Sequence, residues 1–479
     1  MYIALCALLP LLLGGLSAVL KFRSDRARNL YVECVTLLTS AASLCCVLLD
    51  KSAAVTLFRL GGGFDCVLGI DGLSRLFIGL ISILWPLACL YAFEYMEHEE
   101  RTGNFFAFYT MAFGVALLLA AARNLFTLYI FYECLTIVTL PLVEHGQNKE
   151  SYRAGRTYLI YLIGGASLGF ASLVMISGLT GGATSFTPGG LVLSGGSETI
   201  RAAFVLLFVG FGVKAAVFPL CRWLPKASVA PTPVTALLHA VAVVNAGVFS
   251  VARGVYYIFP PEAISGSWAQ CTVLILSALS VVYGAVRAFR ETHLKRRLAW
   301  STVSNLGYML VALSLLSREG CLAGLNHMVF HSLMKIVLFF CAGAVIVKSG
   351  KTDVHELGGE ARKMPFTFFA FTLAGAALTG VPPLCGFTSK YLLITAAFGN
   401  SSWVGWVGAV SLIVSAVLTA FYIFTVIVPA YFKTGMSTEK MDMGIRMKLS
   451  VGALCILIVF ASVYARNTYR LIGVLEEGV

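Results

Sequence analysis

The chain has 479 residues, of which 58% are hydrophobic and 12% charged, with a mean hydropathy of +0.86. Soluble chains carry roughly 25% charged residues, so a string of soluble domains is excluded and most of the chain belongs in lipid. A net charge of +12 would point to nucleic acid in a soluble protein; in an apolar chain, basic loops that orient the spans account for it.

A helix needs about 20 mainly apolar residues to cross a bilayer. Such runs occur near 3–20, 29–49, 74–93, 106–122, 124–143, 156–178 and 201–221, then near 230–252, 269–289, 298–317, 321–347, 366–399, 404–432 and 447–465. The reading is an all-α polytopic membrane protein of about fourteen spans with no soluble domain. No basic segment precedes the first run and no small-residue cleavage site follows it, so it reads as a span and not as a cleavable signal. In the stretch 50–73, Gly61-Gly62-Gly63 reads as a hairpin turn. Thirteen cysteines lie mostly singly in apolar runs, with Cys45-Cys46 the one close pair. Without a CxxC or a His/Cys cluster, they read as small buried hydrophobes, and neither a disulfide framework nor a metal site is expected.

Alternate loops test this count. With both termini outside, the inside loops hold twenty-three of the thirty-five cations, including Lys21 to Arg28, Lys149 to Arg156, Arg222 and Lys226, and Arg287 to Arg297. Nine fall outside, among them Arg123 and Arg253, a bias that supports this orientation. Three lysines remain, Lys214, Lys335 and Lys390, and each lies within a span. Glu133 is the one acid deep in a span, since Glu33 lies near a span end.

Ionisable groups in hydrocarbon cost several kcal/mol and are functional by default. His327, His331 and Lys335, spaced by four, share one helix face, and His239 adds an imidazole in the eighth span. A metal site competes for the two histidines, but no Cys or carboxylate stands beside them. A row of titratable groups suits a proton relay, because His changes charge near neutral pH. Glu133 and Lys214 would form a pair whose separation drives a proton onward.

Pro219-Leu220-Cys221-Arg222-Trp223-Leu224-Pro225-Lys226 matches Pro383-Leu384-Cys385-Gly386-Phe387-Thr388-Ser389-Lys390 at an offset of 164. Proline inside a span breaks the helix. Breaks in corresponding spans, the seventh and twelfth, point to two inverted five-helix repeats around an ion path. The expected organisation is a three-helix segment at 1–105, repeats at 106–260 and 261–432, and a C-terminal helix and tail at 433–479.

Lys214 with Pro219 to Pro225, the run Ala230-Pro231-Thr232-Pro233 through His239, the segment Lys295 to Tyr308 and Gly386-Phe387-Thr388-Ser389-Lys390 together resemble the antiporter-like membrane subunits. These occur in respiratory complex I, Mrp-type sodium/proton antiporters and energy-converting hydrogenases. The resemblance covers roughly residues 60 to 430 and implies fourteen helices with two inverted repeats. It implies a proton path through Glu133, Lys214, His239, His327, His331, Lys335 and Lys390. Several relatives carry lysine where this chain has Asn245, so the central connection would use His239, Lys335 or water. The absence of a long lateral helix after the fourteenth span disfavours the distal complex I protein. The flavour of 131–134 and 230–248 is nearer to the D-type Mrp proteins and the hydrogenase-type complexes.

The expected function is therefore a proton-translocating, non-redox subunit of a multi-subunit complex in a prokaryotic cytoplasmic membrane. Its partners would be other membrane subunits and peripheral redox subunits, and it would hold no cofactor of its own. A stand-alone secondary cation/proton transporter is the alternative, and a structural anchor with packing charges a third.

Overall fold

The computed structural model describes residues 2–49, 54–61, 64–400, 402–432 and 441–477, leaving aside the side chains of His98 and 474–477. Apolar runs become helices because a backbone in lipid must satisfy its own hydrogen bonds. Helices α1 (Tyr2–Val19) and α2 (Asp25–Leu49) lead into an antiparallel pair, β1 (Val55–Arg59) and β2 (Asp65–Leu68). This small sheet departs from the all-α expectation. It flanks the expected hairpin turn, of which Gly62 and Gly63 lie outside the described residues. So do Lys51, Lys433 and Lys440 among the loop cations.

Then follow α3 (Gly72–Tyr95), α4 (Thr102–Ala120), α5 (Leu125–Val143), α6 (Lys149–Leu179), α7 (Ser197–Gly212) and α8 (Trp223–Ala227). Next come α9 (Thr232–Tyr257), α10 (Trp268–Arg290), α11 (Leu294–Ser314), α12 (Arg318–Ser349) and α13 (Pro365–Thr379). The chain ends with α14 (Cys385–Gly399), α15 (Trp403–Phe432), α16 (Ile445–Val463) and α17 (Ala465–Glu477). Side chains close the helix ends: Asn124 accepts from the Thr127 amide, Asn148 and Ser151 form a capping box, and Ser317 accepts from Gly320.

Among the described residues, eleven helices are long and apolar enough to cross a membrane. The remaining expected spans differ for physical reasons. Helix α11 has the length, at 21 residues, but carries Ser301, Thr302, Ser304 and Asn305 among its apolar side chains. The expected runs 201–221 and 366–399 are not continuous helices. The first stops at Gly212 and resumes at Trp223; the second stops at Thr379 and resumes at Cys385.

Each break exposes backbone groups that hydrocarbon would not satisfy, and neighbours supply the partners. The Tyr132 hydroxyl donates to the Phe211 carbonyl at 3.0 Å, Trp223 Nε1 to the Val213 carbonyl at 2.9 Å, and the Phe218 amide to Ser280 Oγ at 2.7 Å. In the second break the Cys385 amide donates to Ser462 Oγ at 2.9 Å. Gly380 ends α13 at a φ of +95°, which favours glycine. The peptide bonds before Pro219 and Pro383 are cis.

Helix α9 lies at the centre, with every side chain of its apolar stretch buried, and α12 is nearly as enclosed. Helices α1, α2, α6, α15 and α16 form the periphery and turn leucines, isoleucines and phenylalanines outward. The polar side chains of α9, α11 and α12 are thereby removed from the lipid-facing surface.

Candidate functional site

Among the described residues, the ionisable groups that the sequence places inside spans fall into two clusters. The first is where α5 meets the break after α7. Lys214 is fully buried, just past the end of α7. Its ammonium donates to the Tyr132 carbonyl and lies 3.6 Å from the centre of the Tyr132 ring, a cation–π contact in a desolvated setting. Gly247 of α9 permits this packing, because a Cβ there would collide with the Ala215 amide nitrogen and stand 2.8 Å from the Lys214 carbonyl carbon. Glu133, the next residue on α5, lies within electrostatic range of Lys214, but no ion pair within 4 Å joins them among the described residues. Glu133 Oε1 is buried without a hydrogen-bond partner among the described residues. The two are neighbours kept apart because the Tyr132 carbonyl and ring hold the lysine.

The second cluster runs along α12. Lys335 donates to the Leu298 carbonyl at 2.9 Å and to Ser301 Oγ, both on α11. One turn earlier is His331, neither of whose ring nitrogens has a partner among the described residues, and one turn before that His327, with ring centres 6.0 Å apart. His327 Nδ1 is 3.0 Å from Ser389 Oγ and its Nε2 is 3.3 Å from Asn305 Oδ1; its ring stacks on Tyr308 at 5.5 Å. Lys390, one residue beyond Ser389 on α14, donates to the Thr379 carbonyl at 3.2 Å and lies 5.4 Å from the centre of the Tyr308 ring. The row therefore continues from α12 into the half-helix after the second break.

His239 extends the row in the other direction. It sits in a π-turn of α9, Leu237–Val241, a widening of the helix common at functional positions. It is fully buried, its ring packs against Phe339 at 4.8 Å, and among the described residues its nitrogens have no partner that meets hydrogen-bond geometry, the Leu224 backbone lying close to the ring. Asn245, one turn past the π-turn, donates from its amide to the Ala240 carbonyl at 2.8 Å and Ser332 Oγ at 2.7 Å. A neutral hydrogen-bonding bridge between α9 and α12 thus occupies that position.

The sorting of cations into loops is corrected at four places, one of them Arg28, which is buried near the start of α2 on Asp25 and Thr102. Lys295, read as a loop cation, is 7% exposed and donates from its ammonium to the Ala230 carbonyl at 2.8 Å, at the start of α9. Arg297 is buried on the Glu291 and Tyr422 carbonyls and Thr425 Oγ1. Arg253 is fully buried in a clamp on Asp71. Lys295 is thus a buried cation near the start of α9, the helix that carries His239. The only sequence signal for this was its position at a helix start beside apolar residues, which is shared by the exposed Arg296.

The Asp71 clamp fixes α9 from its far end. Arg253 Nη1 donates to Asp71 Oδ2 at 2.7 Å and Nη2 to Oδ1 at 2.5 Å, while Arg123 Nη1 donates to Oδ2 at 2.5 Å. Asp71 also accepts the Ser74 amide at 2.9 Å and so caps α3. Burial pushes the Asp71 carboxyl up, but the two guanidiniums and the Ser74 amide outweigh it and hold it below the usual carboxylate range.

Residues 122–419, more than half of the chain and every position of both clusters, match the transmembrane family described as NADH:quinone oxidoreductase/Mrp antiporter. The chain is 32% identical over 357 residues to a Na(+)/H(+) antiporter subunit of Alkalihalophilus pseudofirmus, covering 70% of this chain and 43% of that protein. It is 32% identical over 373 residues to NADH-quinone oxidoreductase subunit L of Mycobacterium tuberculosis, covering 77% of this chain and 58% of that protein. The chain thus spans about half the length of these curated relatives. A chain of the membrane-bound sulfane sulfur reductase, an archaeal respiratory membrane complex, superposes with a TM-score of 0.87 at 26% identity, covering 99% of this chain and 96% of that one.

Proposed function

The chain belongs to the NADH:quinone oxidoreductase/Mrp antiporter transmembrane family, and from that premise we propose that it is the proton-translocating, antiporter-like subunit of a multi-subunit membrane complex. The observation that carries this reading is the set of buried titratable groups, Lys295, His239, Lys335, His331, His327 and Lys390, gathered on α9, α11, α12 and α14. His239 and His331 are fully buried, and among the described residues no protein group meets hydrogen-bond geometry with their ring nitrogens, which leaves those nitrogens open to the neighbouring members of the row. As relay members, they must exchange partners.

In this mechanism Glu133 is the switch. When the carboxylate swings toward Lys214 it stabilises the ammonium; when it turns away, the buried ammonium is left with a carbonyl and a ring and releases its proton toward α9. The row then conducts toward Lys390, at the second break. No redox chemistry is assigned to this subunit; partner chains supply the drive.

The finer architecture is part of the same proposal. Counting the two interrupted helices once each and adding α11 to the apolar helices gives fourteen spans, in units 1–105, 106–260, 261–432 and 433–479. The breaks after Gly212 and Thr379 support two inverted five-helix repeats. The repeat is not carried through in chemistry: Lys226, which aligns with Lys390, is exposed, whereas Lys390 is 6% exposed. Two sets of loops support the orientation. Arg123, Arg253 and the hairpin meet at Asp71, while Arg446 bonds Glu97 and the starts of α6 and α11 converge elsewhere. The richer basic set faces the cytoplasm of a prokaryotic membrane, with both termini outside.

Other membrane subunits, with peripheral redox subunits in a respiratory-type complex, are the proposed partners; near-full coverage of the archaeal respiratory chain supports that branch. Ion movement in vesicles tests the mechanism with Glu133→Gln, Lys214→Ala and Lys390→Ala. Loss of proton movement with assembly intact is expected in each. Undiminished movement in all three refutes the relay, and transport by the purified chain alone favours a stand-alone transporter.

A further inference from the structure

A cavity of about 500 Å³ opens between the starts of α6 and α11, the end of α10 and the short helix α8. None of the ion-path residues lines it. Its rim carries Arg153, Arg222, Lys226, Arg287 and Arg296 against two carboxylates, Glu150 and Glu291. Glu291 is already engaged by Arg296 at 3.2 Å. Arg153, Arg222, Lys226 and Arg287 make no ion pair with a carboxylate among the described residues.

The wall beneath this rim is apolar and partly aromatic. Trp300 is buried, packs edge-on against Tyr283 at 5.6 Å, and has the Arg287 guanidinium over its ring at 5.0 Å. Pro225, Val229 and Ala154 complete the apolar side. A soluble anion would be served by the rim alone. A rim with four unpaired cations above an apolar, aromatic-sided wall, at the ends of three membrane helices and the short α8, fits a ligand that is anionic at one end and hydrocarbon at the other.

We propose that this cavity binds the phosphodiester headgroup of an anionic phospholipid, with the first carbons of its acyl chains along Tyr283, Val229 and Trp300. Arginine's planar fork suits phosphate oxygens in pairs, and basic pockets between membrane helices are a recurrent form of anionic-lipid site. The site adjoins the first helix break: Arg222 precedes α8, Lys226 lies in its last turn, and Trp223 of α8 is bonded to the Val213 carbonyl, one residue before Lys214. A bound headgroup therefore braces the segment on which Lys214 is mounted. The assignment of the cavity does not depend on the proton relay, which the vesicle measurements above test separately.

The test uses the full chain, purified with the membrane partners it retains, in nanodiscs of phosphatidylcholine with or without cardiolipin or phosphatidylglycerol. Native mass spectrometry should find anionic lipid retained, with a rise in melting temperature that inorganic phosphate and glycerol phosphate do not reproduce. The triple variant Arg153→Gln, Arg222→Gln, Lys226→Gln should lose the retained lipid and most of the rise while melting normally in phosphatidylcholine. The control triple Lys21→Gln, Arg23→Gln, Arg26→Gln, exposed residues between α1 and the first turn of α2 that do not line the cavity, should keep both. Equal retention in the cavity variant, an equal loss in the control, or an equal effect of phosphate alone overturns the proposal. If the cavity triple does not fold, single Arg287→Gln and Arg222→Gln variants supply the same comparison.

Discussion

Substituting Asp71 by Asn removes one charge from the clamp without removing its shape. The Asn side-chain oxygen still accepts the Ser74 amide, so the cap of α3 is kept. What is lost is the counter-charge of Arg253, which is fully buried and enclosed by the Phe186, Phe249 and Tyr257 rings at 5.1, 5.2 and 4.8 Å from its guanidinium carbon. Removing one partner of a buried pair leaves an uncompensated charge and destabilises by about 3–5 kcal/mol. Arg123, with 29% of its side chain exposed, contributes less, and Arg123→Gln should cost at most about 1 kcal/mol. Equilibrium unfolding of the chain in detergent micelles or bicelles, followed by tryptophan fluorescence, reads these differences. Replacing both partners, as Asp71→Asn with Arg253→Met, should recover much of the loss, because the charge and its desolvation leave together. A loss below about 1 kcal/mol for Asp71→Asn, or a double variant no more stable than the single, refutes the clamp as a dominant contact.

The same clamp sets a pH dependence. The folded chain keeps the Asp71 proton off to lower pH than the unfolded chain does, where a carboxyl titrates at about 3.9. Its stabilisation is thus complete above that value and is lost as pH falls through the lower, folded value. The stability gap between wild type and Asp71→Asn should narrow only on that acid side, and a gap that narrows between pH 8 and 6 contradicts the assignment. His331→Leu separates relay from packing: with both ring nitrogens unpartnered, the change should leave stability unchanged or raised, yet abolish proton movement in vesicles. Loss of both together, or of neither, counts against the relay role. Gly247→Ala forces a methyl into the Ala215 amide and should cost about 1–3 kcal/mol while impairing ion movement. Gly164→Ala, which meets nothing within 4 Å, is the control and should be neutral or slightly stabilising in both assays.

Local composition determined the membrane class and the run of spans, because the apolar length of a segment is enough to place it in lipid. The lone lysines Lys214, Lys335 and Lys390 and the His327–His331–Lys335 spacing were legible for the same reason: an ionisable group inside an apolar run is visible without knowing its neighbours. The prolines of 219–225 and 382–383 marked that the two spans are interrupted, although α7 stops at Gly212, before its first proline, and the run lengths had read as continuous spans. Only the tertiary structure decided the partners. Burial of a residue near a helix end depends on which other element covers it, so Lys295, Arg297 and Arg253 were indistinguishable from exposed neighbours until α9, α15 and the hairpin segment were packed over them. The same holds for Glu133 and Lys214. The sequence placed both in lipid, but their separation is set by Tyr132, whose carbonyl and ring hold the ammonium, and by the close approach of Gly247 from a helix distant in the chain.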